Sequence, residues 1–191
     1  RGLAQPGDVV LEPFFRVHHE RYAVYWTVLS PERWTQRQAA IADVTRRVDA
    51  LRSGALDYVV AGDATSESAH AVQATNSQTG TVAGRTWRHA RSSGAFSYRL
   101  HTKGVSPDEP LALSCVFGAR DKNHAFSILV DGTKLAAPAL DGEAPGVVRL
   151  ETYPIPPELR RGRDAITITF QAVDRWAAAT ANVFGCGVST Q

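Results

Sequence analysis

Asp63, Ser66, Glu67 and His70 stand together after Gly62 in the stretch GDATSESAH, and Gly84-Arg85-Thr86-Trp87-Arg88 follows after a turn-rich interval. Between them the two segments offer carboxylates, guanidinium groups, an imidazole and an indole. Two readings stand. In the structural one, an arginine–carboxylate pair between the segments pins a loop. In the other they form a sugar site. A saccharide would lay its apolar C–H face on Trp87 and offer hydroxyls to Arg85, Glu67, His70 and Asp63. Asp63 and Glu67 do not by themselves make a glycoside-cleaving pair, because two carboxylates must flank the sugar at about 5 to 9 Å and no spacing along a chain fixes that.

The remaining reactive residues point away from catalysis. Cys115 falls on the apolar face of an expected strand, and Cys186 in another strand-like stretch, Phe184 to Val188. Both read as buried thiols, and a disulfide requires their strands to be neighbours. Neither has a base close by in sequence that would make it a nucleophile. Two cysteines are too few for a zinc site built mainly of thiolates. His18 and His19 are adjacent, so in a strand they point to opposite faces and cannot share an ion. His70, His89, His101 and His124 are scattered, and no metal or cofactor is expected. There is no Walker loop, no G-x-G-x-x-G, no G-x-S-x-G and no H-E-x-x-H.

These residues sit in a chain of 191 residues, 43% hydrophobic and 21% charged. That is an ordinary globular composition, which excludes wholesale disorder. With 21 basic and 19 acidic residues the formal net charge is +2, which makes no electrostatic case for nucleic acid. No run approaches the about 18 apolar residues of a membrane helix. Methionine is absent and Arg1 comes first; the expectation is a piece of a larger protein.

Three regions follow from patterning. Residues 1–29 read as a strand segment continuing from a preceding domain. Tyr22, Val24, Trp26 and Val28 alternate on one face, and Ala23 and Tyr25 leave the other face apolar too. A strand apolar on both faces expects cover on both sides, so Phe14, Phe15, Tyr22 and Trp26 are candidate interface residues. Residues 30–54 read as an amphipathic helix and linker. Ser30 suits the N-cap and Pro31 the first turn. Trp34, Ile41, Val44, Val48 and Leu51 fall on one face, Arg46, Arg47 and Arg52 on the solvated side, and Gly54 marks the stop. Residues 55–191 carry short period-two segments at 57–61, 71–75, 95–101, 111–117, 126–131, 147–151, 165–171 and 182–188, separated by turns such as Asp131-Gly132. Phe96, Tyr98 and Leu100 share a face, as do Leu113, Cys115 and Phe117, and Ile166, Ile168 and Phe170. The fold class is mainly β: a β-sandwich, jelly-roll-like, preceded by N-terminal strands and one helix.

The segment from Phe14 to Trp26, FFRVHHERYAVYW, resembles the F-Y-R-x-H-x-x-R-Y-x-x-Y-W segment of β-L-arabinofuranosidase-type glycoside hydrolases, family 127 and relatives. Gly62-Asp63 with Ser66, Glu67 and His70 is similar to that family's terminal-region motif. So, in shared order, are Gly84-Arg85-Thr86-Trp87-Arg88, Phe96-Ser97-Tyr98, Ile128-Leu129-Val130-Asp131-Gly132, Tyr153-Pro154-Ile155-Pro156 and Phe170-Gln171-Ala172. Where family members often read R-x-F-D, this chain has His124-Ala125-Phe126-Ser127, neutral groups in place of a charge pair. The resemblance implies a C-terminal β-sandwich that follows a catalytic helical barrel. The family's catalytic cysteine nucleophile and its zinc ligands belong to a motif with no counterpart here, so no catalytic residue is carried over. The expectation is a non-catalytic accessory domain of a larger glycoside hydrolase. It would pack on the parent's catalytic domain or mediate homo-oligomer contact; the alternative is a carbohydrate-binding module for plant-type oligosaccharides. A parent of this kind implies secretion or a periplasmic location.

Overall fold

The strand-patterned region expected from residue 55 onward is built of nine strands in the computed structural model, which describes residues 29–106, 108–160 and 163–190. The chain divides into two compact units, Arg1–Trp34 and Thr35–Gln191. The expected strand at 1–29, with Phe14, Phe15, Tyr22 and Trp26, lies outside the described residues.

Helix α1 spans Pro31–Gly54. Ser30 caps it as its residue type suggests: Arg33 N donates to Ser30 Oγ at 3.3 Å and Trp34 N to the Ser30 carbonyl at 2.9 Å. The apolar face is shorter than the spacing predicts, for Trp34 is 56% exposed and Val48 alone is fully buried. Val44, Val48 and Leu51 meet Val116, Val148, Leu150, Phe184 and Trp87. Arg46 and Arg47 are exposed as expected, Arg46 pairing with Asp43.

The strands are β1 Asp57–Val60, β2 Gln73–Val82, β3 Arg85–His101, β4 Leu111–Gly118, β5 Phe126–Val130, β6 Thr133–Ala136, β7 Val148–Ile155, β8 Ala165–Ala172 and β9 Val183–Thr190. Short helices α2, Ala64–Ala69, and α3, Pro157–Arg160, interrupt them. The order is β6-β5-β8-β3-β9-β4-β7, with β1 beside β9 and β2 beside β3, all antiparallel. β3 joins the two layers. Ala95–His101 pairs with β8, while Arg88 lies opposite Val183 of β9. Between the two stretches Gly94 is buried against the carbonyls of Arg91, Thr75 and Asn76, where an added Cβ would stand 2.6 to 2.8 Å away.

Alternation fills the interior as the sequence predicts. Phe96, Tyr98 and Leu100 of β3, Leu113, Cys115 and Phe117 of β4, and Ile166, Ile168 and Phe170 of β8 are all at most 1% exposed. Phe117 meets Phe170 edge-on at 6.4 Å across the layers. On the opposite face of β4, Val116 is covered by α1. A bulge in β9 gives that face a further anchor: Val116 pairs with Gly185 and Phe117 with Val183, so Phe184 is the extra residue and joins Val116 beneath the helix. Burying a valine such as Val48 stabilises by about 1.5–3 kcal/mol.

The β5–β6 hairpin turns at Asp131-Gly132 with φ of 47° and 82°, the two positive values a type I′ turn needs. The β2–β3 hairpin uses the same geometry at Ala83-Gly84, φ 48° and 73°. Alanine is a poor left-handed residue, so the sequence carries no hairpin signal there, and what reads as a turn-rich interval is strand. Most of β2 is exposed, so past Thr75, where the expected 71–75 segment ends, its residues show no alternation.

Cys115 and Cys186 are fully buried, free, and directly opposite each other on β4 and β9. Their strands are therefore neighbours, and the two thiols belong to the interior. Burial pushes both thiols well above their ordinary pKa. Both should be inert to a thiol-specific chromophoric disulfide in the folded protein, and both should react once guanidinium unfolds it. A thiol that reacts with native protein would contradict their enclosure.

Candidate functional site

The charged cluster after Gly62 forms as a cap. Asp63 is the N-cap of α2, its Oδ1 accepting from Ser66 N at 2.8 Å. Glu67, one turn on, is 4% exposed. Its Oε1 accepts from Gly62 N at 2.8 Å, Arg88 Nε at 2.7 Å and Tyr98 Oη at 2.7 Å, and its Oε2 accepts from Arg88 Nη2 at 2.6 Å. Arg88 also donates to Ser77 Oγ at 3.0 Å. Burial alone would raise the Glu67 pKa, but Arg88, Gly62 and Tyr98 together hold it below the usual carboxylate range. Burial pushes the Tyr98 hydroxyl far up, so it stays a donor.

His70 is equally committed. Its Nδ1 faces the Ser66 carbonyl at 2.6 Å and its Nε2 faces Asp57 Oδ1 at 3.0 Å. Asp57 in turn accepts from Tyr58 N at 3.0 Å and His101 N at 2.7 Å. Glu67 and His70 are thus structural, and the predicted arginine–carboxylate pair exists with Arg88 as the arginine.

Arg85 and Asp63 line one cleft of about 250 Å³, together with Arg52, Tyr58, Thr86 and Val60. Trp87 does not share it. Its indole lies over Gly80 on the paired strand, where a Cβ would stand 2.7 Å from Cε2, tilts against His89 at 5.2 Å and joins the cluster under α1. The candidate sugar residues Trp87, Arg85, Glu67, His70 and Asp63 therefore divide among a half-buried indole that lines a separate hollow with Asp121, Val147 and Asn182, a cleft and two structural bonds. The α2 cap turns Glu67 and His70 to structural bonds, while Arg85 and Trp87, two residues apart on one face of β3, pack against different neighbours along the strand.

An aromatic that the sequence reading passed over takes the exposed place. Trp176, between β8 and β9, is 92% exposed. It borders a hollow of about 410 Å³ with His89, Arg91, Ser92, Ala177 and Ala178. Leaving an indole of 150–250 Å² in water forgoes about 4 to 6 kcal/mol at about 25 cal/mol/Å². The loop carrying it is tied down: Val173 N donates to the Ala125 carbonyl at 3.0 Å, Ala178 N to Arg175 at 3.0 Å, Thr180 N to Ala90 at 2.9 Å, and Ser93 bonds Asp174. A tryptophan with no periodic apolar partners, in DRWAAA between two clear strands, was the available signal.

The floor of that hollow is oriented by a chain of hydrogen bonds. Asp121 is 8% exposed and accepts from Asn182 N at 2.7 Å and Asn182 Nδ2 at 2.8 Å. Asn182 Oδ1 then faces His89 Nδ1 at 3.1 Å, so that nitrogen donates. Burial lowers the His89 pKa, with the Asn182 bond partly opposing it, and the ring is neutral near pH 7. Among the described residues no group of three or more His, Cys, Asp or Glu is placed to hold a metal ion.

A family model described as "Family of unknown function (DUF6805)" matches residues 50–185. No curated protein matches the chain. Among solved structures, a family 35 carbohydrate-binding module from Clostridium thermocellum superimposes with a TM-score of 0.53 at 11% identity, covering 71% of this chain and 99% of that one. The ANXUR1 extracellular domain from Arabidopsis thaliana gives 0.50 at 15% identity, covering 71% of this chain and 42% of that one, so the match spans less than half of the plant ectodomain. At these identities the likeness is one of fold: the β-sandwich expected from strand patterning.

Replacing Glu67 by Gln leaves Arg88 charged, partly buried and without its carboxylate. Such a break costs about 3–5 kcal/mol, a fall in Tm on the order of 10 °C for a domain of this size. Since folding holds the Glu67 pKa down, its contribution is complete above the unfolded carboxylate range and is lost as pH falls through the folded value. Thermal melts of Glu67→Gln and the parent protein should therefore differ most near neutrality and converge in acid. Equal melting points at pH 7 would show that the carboxylate contributes nothing.

Proposed function

The chain belongs to the DUF6805 family, and we propose that it is a non-catalytic accessory domain that binds carbohydrate. The observation that carries this reading is Trp176, 92% exposed beside a hollow whose polar groups include Arg91 and Ser92. A sugar ring stacked on the indole would recover the apolar burial that the folded chain forgoes. Its hydroxyls would meet the Arg91 guanidinium and Ser92. The likeness of fold to a family 35 carbohydrate-binding module supports the same reading. Glu67 and His70 are fully engaged, which leaves Asp63 without the paired carboxylate that glycoside cleavage requires.

We further propose that the domain serves a larger glycoside hydrolase of the β-L-arabinofuranosidase type. Its partner would be the parent's catalytic domain, reached through Phe14, Phe15, Tyr22 and Trp26. The ordered motifs from Phe14 to Ala172 support this assignment. The sequence of the full polypeptide tests it directly, since a parent without a hydrolase domain would remove it.

Titration with plant polysaccharides and oligosaccharides, followed by calorimetry and tryptophan emission, tests the binding role. Saturable binding with a blue shift is expected from the native chain. Trp176→Ala should abolish it while stability changes by no more than about 0.5 kcal/mol, as for an exposed side chain. Absence of binding across the panel, or undiminished binding by the variant, overturns the reading. Hydrolysis of an arabinofuranoside by the purified chain would overturn the non-catalytic assignment.

A further inference from the structure

Among the described residues the partly or fully buried arginines Arg88, Arg149 and Arg160 are matched to acceptors, whereas Arg37 on α1 and Arg85 are not. Arg88 pairs with Glu67, Arg149 with Asp141 at 2.6 Å and Glu151, and Arg160 donates to the carbonyls of Val105 and Glu109. Arg85 is half-buried and has no hydrogen bond or ion pair among the described residues. A guanidinium partly withdrawn from water without an acceptor is an unfavourable arrangement, and its five donors can be used by whatever enters the space beside it.

That space is the cleft of about 250 Å³. Arg52 supplies a second cation. It projects from the last turn of α1 and stands over the Tyr58 ring at 5.6 Å, held by the aromatic face with no carboxylate partner among the described residues. Arg52 has local reasons to be there, the ring and the negative end of the helix; Arg85 has none. Tyr58 is fixed from beneath. Its ring lies over Gly185 and Gly187 of β9, where a Cβ at Gly187 would stand 2.8 Å from Cδ2. Burial raises the Tyr58 pKa against the pull of both Arg52 and Arg85, so its hydroxyl remains a donor and both cations lie within electrostatic reach of it. Thr86 adds a hydroxyl to the lining. The opposing charge is Asp63, whose Oδ1 already accepts from Ser66 N and which forms no ion pair with either arginine. The cleft thus holds two guanidinium groups against one carboxylate.

We propose that this cleft is a binding site for a small oxyanion, a carboxylate, sulfate or phosphate group, gripped between Arg85 and Arg52 beside the Tyr58 hydroxyl. Arg85 is the specificity-determining residue, because its planar fork can hold two oxygens of one such group. The site shares no lining residue with the Trp176 hollow, and it goes beyond the carbohydrate reading.

The test uses the protein as it stands, titrated at constant ionic strength with sulfate, phosphate, glucuronate and, as a neutral control, glucose. Amide chemical shifts and Tm are the readouts. Saturable shifts centred on Tyr58, Arg85 and Thr86, with a rise in Tm for the oxyanions and none for glucose, are expected. Arg85→Gln should weaken binding at least tenfold without lowering the Tm of the free protein. Arg85→Lys should restore it only in part, since the charge returns without the fork. Trp176→Ala should leave oxyanion binding unchanged, which separates this site's failure from that of the carbohydrate site. Glucuronate binding more tightly than sulfate and phosphate would mark a sugar-borne carboxylate as the source, whereas equal affinity would mark a free oxyanion. No saturable shift with any oxyanion, or an Arg85→Gln protein that binds as well as the parent, overturns the proposal.

Discussion

The Glu67 carboxylate ties together the two halves of β3, one in each layer. One of its oxygens takes Arg88 where β3 runs beside β9, and the same oxygen takes Tyr98 where β3 runs beside β8. β3 changes layers between those residues, bending near the buried Gly94. A single buried acceptor therefore spans the bend, and the Gly62 amide ties the loop before α2 to the same point. Four donors on two oxygens offset the burial of the charge, which is why so costly a group can sit at 4% exposure.

From that constraint the disposition of the surface follows. β3 presents alternate residues to opposite sides, so Arg88 and Trp87 cannot serve the same purpose. Arg88 turns to Glu67. Trp87 turns to the cluster beneath α1 and rests on Gly80. Arg85 reaches the cleft at the hairpin end, and His89 and Arg91 border the Trp176 hollow farther along. Tyr58 over Gly185 and Gly187 repeats the device of Trp87 over Gly80: a bare backbone on one strand makes a seat for a ring on its neighbour. Two rigid aromatic floors result, one under α1 and one under the cleft.

The candidate site was less legible in the sequence than the frame around it. Asp63, Glu67, His70, Arg85 and Trp87 are neighbours along two short segments, and that proximity suggested one constellation. The α2 cap turns Glu67 and His70 to structural bonds, and Arg85 and Trp87, though on one face of β3, meet different neighbours, because what lies opposite a side chain is set by distant parts of the chain that adjacent letters do not reveal. Trp176 has no pattern at all, since a residue in a loop owes its place to the strands on either side. The β2–β3 hairpin escaped for a related reason. β2 buries almost nothing, so past Thr75 there is no alternation to read, and Ala83 takes a left-handed turn without the usual residue.

The sequence alone determined the α1 span with its serine cap, most strand segments of the sandwich apart from the β2–β3 hairpin, the inward faces of β3, β4 and β8, and the hairpin at Asp131-Gly132. Each of these is a local choice, set by periodic burial or by the φ values a residue tolerates. Tertiary structure decided that Cys115 and Cys186 face each other, that Glu67 binds Arg88 and leaves Arg85 without a partner among the described residues, and that Phe184 bulges outward beneath the helix. Those outcomes depend on register between strands distant in the chain, where shifting one strand by a single residue exchanges every inward side chain for an outward one.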